Sequence, residues 1–165
     1  MEPRGGGQWP SAKGRKSLYL ASVKPANPLS PWMTHLLRFA GVFNLLAGTG
    51  MICLYHEGFK MLGVPKLAIT LPVQVMGILV GLFGVGYLLV AANPVENRNL
   101  LMLGFWSKAL SSLAALWYVA IGRLPPGFAV TVFFADVIYL PFFFMILRRL
   151  YRAAREERDK GLEEG

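Results

Sequence analysis

The chain has 165 residues, 55% of them hydrophobic and only 16% charged, with a formal net charge of +8. That is one domain's worth of chain, with fewer charges than the roughly 25% of a soluble domain, and the charges crowd both ends around a long apolar middle. Nucleic acid is excluded as a partner, because the basic residues flank apolar runs instead of forming a polar face; the bilayer and its anionic head groups are the expected partners.

The first thirty residues hold a Gly5-Gly6-Gly7 run, several prolines and the cations Arg4, Lys13, Arg15, Lys16 and Lys24. Residues 1–31 therefore read as a disordered basic tail. No apolar stretch follows the early charges until the first span, so no cleaved signal peptide is expected.

Four apolar stretches then meet the requirement of about 20 residues for crossing a hydrocarbon core about 30 Å thick. They cover about 36–55, 67–92, 99–121 and 127–147. Short linkers with Pro and Gly separate them, of the type HEGFKMLGVPK, NPVENRN and GRLPPG. Links this short make neighbouring helices antiparallel. The predicted fold is all-α, a four-helix transmembrane bundle running up-down-up-down over residues 32–150. Residues 151–165 read as the fourth helix continuing into a charged tail near anionic head groups.

Lys and Arg set the orientation. Twelve lie in the N-terminal segment, at Arg98 and in the tail from Arg148 to Lys160; only Lys60, Lys66 and Arg123 fall on the other side. Both termini are thus expected in the cytoplasm, and the expected location is integral in a bacterial inner (cytoplasmic) membrane.

Ionisable and amide groups within spans carry most functional information in such a bundle. Lys108 lies about 13 Å into the third span and Asp136 about as far into the fourth from the opposite face, so both reach the midplane. Two opposite charges at one depth are expected to pair, since a lone charge there costs at least ~2.5 kcal/mol. Asn44 reaches similar depth in the first span and is expected to join them. Ser111 and Ser112, at i+3 and i+4 from Lys108, should share its face, and Tyr139 that of Asp136. The predicted buried polar site is therefore Lys108, Asp136, Asn44, Ser111, Ser112 and Tyr139. It serves either to hold the bundle in register or as a polar site for a proton or small substrate. Gln74 lies near the outer end of its span, and Arg38 can snorkel to the inner boundary.

The second span carries Gly77, Gly81, Gly84 and Gly86. Gly77 and Gly81 form a GxxxG, so Gly77, Gly81 and Gly84 are the expected helix-packing residues, within the bundle or between copies.

Several chemistries have no residues to carry them. Cys53 is the single cysteine, which excludes an internal disulfide and a cysteine metal cluster. His35 and His56 fall about 30 Å apart at opposite ends of one helix and cannot share a haem or metal. His56 and Glu57 form an exposed polar loop. No nucleophile elbow or zinc spacing occurs. No catalytic residue, metal or cofactor is expected, and an enzyme only with a cofactor from a partner subunit.

From the second span onward, GVGYLLVAANPVENRNLLMLGFWSKAL, GRLPPGF and FFADVIYLPFFFMIL resemble a bacterial family of small four-helix integral membrane proteins of unassigned function. The shared positions are Asn93 and Pro94, Gly104 and Lys108, and Asp136 with Tyr139, Pro141 and Phe142. The chain departs from the family's Asn-Asp and Trp in the fourth helix by having Ala135 before Asp136 and Tyr139 nearby. In size and span count it is also similar to DoxX-like membrane proteins, a likeness that implies quinol or thiol redox partners.

Three functions follow as expectations, in this order: a non-catalytic membrane subunit or scaffold, packed on an unrelated membrane subunit or as a homo-oligomer; a small carrier or permeation protein using the midplane Lys-Asp-Asn site; and the membrane part of a quinone or thiol redox system.

Overall fold

The computed structural model describes residues 27–63 and 69–163. These are helical, with no strand among the described residues. The elements are α1 (Pro31–Cys53), α2 (Tyr55–Met61), α3 (Leu71–Ala92), α4 (Arg98–Ala120), α5 (Pro126–Ala135), a 3-10 turn over Val137–Tyr139, and α6 (Leu140–Glu163). Four helical stretches are long and apolar enough to cross a membrane: α1, α3, α4, and α5 through α6 up to Leu162.

Local chemistry sets the helix ends. Pro31, Pro72 and Pro126 stand in the first turns of α1, α3 and α5, where the missing N–H has no intrahelical acceptor to lose. Gly122 closes α4 with φ at 71°, and the Arg123 N–H bonds back to the Tyr118 carbonyl, a left-handed cap that only glycine adopts without strain. Asn97 closes the other end of the α3–α4 link. Its side-chain amide donates to the carbonyls of Leu89 and Asn93 at 3.2 and 3.1 Å, a second donor to each beside the backbone N–H groups of Asn93 and Asn97, and so ties the link to the end of α3.

The outside of the bundle is apolar. Leu46, Leu82, Leu110, Leu113 and Phe134 are all more than half exposed, spread over four helices. A soluble monomer rarely leaves contiguous apolar surface on that scale, whereas lipid tails cover it without cost. With no hydrophobic drive between helices inside a bilayer, packing must hold them, and it does so most closely between α1 and α3. There Gly41 faces the Gly84 carbonyl and Gly48 faces Gly77 and Gly81, so the contacts run in reverse order along the two helices. A Cβ on Gly48, Gly77 or Gly84 would press into backbone of the other helix, at 2.7 Å for Gly77 and Gly84.

The packed core lies in one half of the bundle. Leu37, Tyr87, Val90, Leu101, Phe143, Ile146 and Leu150 are essentially fully buried. Tyr87 meets Phe143 edge-on with ring centres 4.9 Å apart, a favoured aromatic geometry. Tyr87 also lies across Gly104, where a Cβ would come within 2.5 Å of the ring.

Several boundaries differ from the sequence expectation. Most of the expected disordered tail, residues 1–26, and positions 67–68 of the expected second span lie outside the described residues. Residues 27–31, assigned to the same tail, are packed: Leu29 is buried against the core and its N–H bonds Asn27 Oδ1 at 3.0 Å. Part of the expected first loop is helical as α2.

The largest difference is in the fourth span, which is not one helix. Pro141 has no N–H to give to the Val137 carbonyl, four residues back, and its ring crowds that position. The backbone tightens instead: the Leu140 N–H takes the Val137 carbonyl and the Tyr139 N–H takes that of Asp136. In an uninterrupted α-helix Tyr139 would have bonded Ala135. The break therefore releases the Ala135 carbonyl.

Candidate functional site

α4 buries one stripe, Leu101, Gly104, Lys108 and Ser112, at spacings of three and four. Lys108 is thus carried inward by its helix, and it is 6% exposed. Its ammonium meets the break in the fourth span. Nζ donates to Asp136 Oδ1 at 2.5 Å and to the released Ala135 carbonyl at 2.9 Å. The Tyr139 ring lies over the same nitrogen, 5.3 Å from its centre. One turn of irregular backbone supplies the cation with a carboxylate, a carbonyl and an aromatic face. Each offsets part of the cost of holding a charge inside a membrane span.

The pair forms one end of a cavity of about 540 Å³. The cavity is lined from Phe43 to Met51 of α1, Tyr87 back to Met76 of α3, Ser107 to Ala115 of α4, and Phe128 to Ala135 of α5 with Asp136 just beyond it. It occupies the half of those helices nearer Cys53, Leu71, Ala120 and Pro126, while the packed core fills the other half. Its walls are mostly apolar, with Phe43, Leu79, Val80, Phe83 and Val132 contributing. Polar groups in the lining are few: Asn44, Ser107 and Ser111 lie within about a turn of the level of Lys108 and Asp136, and Thr131 lies further along α5 toward Phe128. A chamber of this size with few polar groups at one end has the general form of a small-molecule site.

The expected site residues do not all converge as anticipated. Asn44 is buried and lines the cavity, carried inward in the stripe that holds Gly41 and Gly48, but it bonds neither Lys108 nor Asp136. Ser111 lines the cavity with its hydroxyl turned to its own helix, donating to the Lys108 carbonyl at 3.2 Å. Ser112 is buried outside the cavity wall and its hydroxyl has no partner among the described residues. Tyr139 presents its ring to the site. All three expected packing glycines approach α1: Gly77 and Gly84 turn their Cβ positions into it, while Gly81 lies against Gly48 with its backbone and a Cβ on it would meet nothing.

Other participants escaped the sequence reading. Gly41 and Gly48 supply the opposite half of the α1–α3 contact, and their seven-residue spacing, repeated by Gly77 and Gly84, was the available signal. Tyr87 closes the cavity beside the core and had no distinguishing pattern. The Ala135 carbonyl was announced only by Pro141, whose missing N–H breaks the helix above it.

Among the described residues no group of three or more His, Cys, Asp or Glu could hold a metal. Cys53 is exposed and unpaired. No family model, curated protein or solved structure matches the chain.

Proposed function

We propose that the protein binds a small, largely apolar molecule within the membrane, in the cavity whose polar end is the Lys108–Asp136 pair, and acts as its carrier or membrane receptor. The observation that carries this reading is the cavity itself: about 540 Å³ of space bounded by all four spans, ending on a buried ion pair. A pair that served only to hold helices together would be expected in packed surroundings, because empty space beside it forfeits dispersion contacts. The other half of the bundle makes the contrast, where Leu37, Tyr87, Leu101, Phe143, Ile146 and Leu150 are essentially fully buried in one cluster.

The proposed arrangement is up-down-up-down, with both termini cytoplasmic. The reversed order of contacts between α1 and α3 supports the first part, and the twelve cations against three support the second. In that orientation the cavity lies in the outer half of the membrane and the packed core in the inner half. The scaffold reading gains less support, because Gly77 and Gly84, the small residues suited to a partner helix, are already engaged by α1.

The test is extraction of the protein from its own membrane in mild detergent, followed by mass spectrometry of the organic extract. The wild type is expected to retain a small amphipathic molecule, and Ala115→Trp, which fills the cavity from α4, to lose it. Identical extracts from both would contradict the proposal.

A further inference from the structure

The polar end of the cavity offers its two charges unequally. Two of the three N–H groups of Lys108 are used, by Asp136 Oδ1 and the Ala135 carbonyl, and the Tyr139 ring covers the ammonium. The Lys108 side chain is 8% exposed, whereas that of Asp136 is 26% exposed. No donor among the described residues bonds the second carboxylate oxygen of Asp136. A carboxylate has about four acceptor positions and no proton to give. The group presented to the cavity is therefore an acceptor with its charge already balanced. From this we infer that the ligand is an uncharged molecule whose polar end donates a hydrogen bond to Asp136, with an alcohol or phenol as its chemical class. This rests on the cavity being a ligand site.

The other classes are disfavoured by the same geometry. An anion would face the open carboxylate and find its neutralising ammonium already engaged. A cation would share one carboxylate with Lys108, placing two positive charges side by side in a low dielectric. An ether or ester accepts only: the third N–H of Lys108 or the Asn44 amide could give to its oxygen, but the second Asp136 oxygen would stay unbonded. A hydroxyl satisfies Asp136 without adding charge, and an aromatic or aliphatic body then lies against Phe43, Phe83 and Phe128.

The test uses matched naphthalene derivatives and the full chain in nanodiscs, with empty nanodiscs subtracting partition into lipid. Equilibrium dialysis measures 2-naphthol, 2-methoxynaphthalene, 2-naphthoate and 2-naphthylmethylammonium at neutral pH. Protein-dependent binding of 2-naphthol is expected to exceed that of the methyl ether by about tenfold, the worth of one hydrogen bond to a charged acceptor. It should also exceed both charged probes, and Asp136→Asn should narrow the preference over naphthoate. Equal binding of naphthol and its methyl ether would overturn the donor inference while leaving the cavity as an apolar site. Preference for either charged probe would overturn it as well. Absence of protein-dependent binding by all four probes would overturn both this inference and the ligand-site reading. The wild-type series decides these outcomes whether or not Asp136→Asn folds.

Discussion

Lys108 Nζ donates to the backbone carbonyl of Ala135 at 2.9 Å, a carbonyl that its own helix relinquishes because Pro141, six residues on, prevents regular α-helical bonding. The intramembrane cation is thus held by a backbone defect as well as by Asp136. Non-helical backbone at membrane depth is tolerated where it is buried in protein or lines a cavity, and here it does both. A direct consequence concerns the carbonyl. Ala135–Asp136 is the chain's one Ala-Asp step, so labelling Ala with carbonyl carbon-13 and Asp with nitrogen-15 isolates that resonance. Lys108→Met is expected to move it upfield, toward the shift of an unbonded carbonyl. An unmoved resonance would mean that Lys108 does not bond Ala135.

Breaking the pair from one side should cost more than removing it. Lys108→Met leaves an uncompensated carboxylate and Asp136→Leu an uncompensated ammonium, at about 3–5 kcal/mol for a buried pair, with the partial exposure of Asp136 placing its own loss of partner toward the lower end. The double variant leaves neither. Thermal unfolding in one detergent is expected to rank it above both single variants, and a double variant at or below the less stable single one would contradict the ion pairing.

Glycine substitutions separate a GxxxG reading from the packing observed. Gly48→Ala and Gly77→Ala each drive a methyl into backbone of the facing helix, where no side chain can swing away, and should destabilise by about 1–3 kcal/mol or more. Gly81→Ala meets open space and should be neutral, or stabilising by up to about 1 kcal/mol through the unfolded-state entropy that alanine lacks. Melting temperatures of the three variants check the order.

Ser112 gives the opposite expectation. Its buried hydroxyl has no partner among the described residues, so Ser112→Ala removes an unsatisfied group at little loss of volume. The variant is expected to match the wild type or gain up to about 1 kcal/mol in the same melt. A clear loss would show that the hydroxyl has a partner, such as water or a ligand.

Much of the architecture was legible from local rules. Span length against bilayer thickness locates the four long helices, and the depths of Lys108 and Asp136, counted along opposite helices, bring the two to one level. What stayed hidden depends on relations between helices. Facing glycines are read only when Gly41 and Gly48 are set beside Gly77 and Gly84, and an apolar span offers many glycines to pair. Asn44 lines the same cavity as the pair, but depth along an axis does not fix the distance across a bundle, and it bonds neither Lys108 nor Asp136. The break at Asp136 was available in Pro141 but was masked by continuous hydropathy, which does not register backbone bonding. The cavity itself has no sequence signature, because a missing contact leaves no residue to mark it.

The central claim is that the Lys108–Asp136 pair belongs to a ligand site and not only to the scaffold of the bundle. The measurement that tests it most directly is the amount of small amphipathic molecule retained by purified Lys108→Met, Asp136→Leu double variant, compared with wild type, with folding verified by thermal unfolding of the same samples. A folded protein that has lost the molecule is the expected result. A folded double variant that retains it in full would contradict the account and leave the pair a purely structural device.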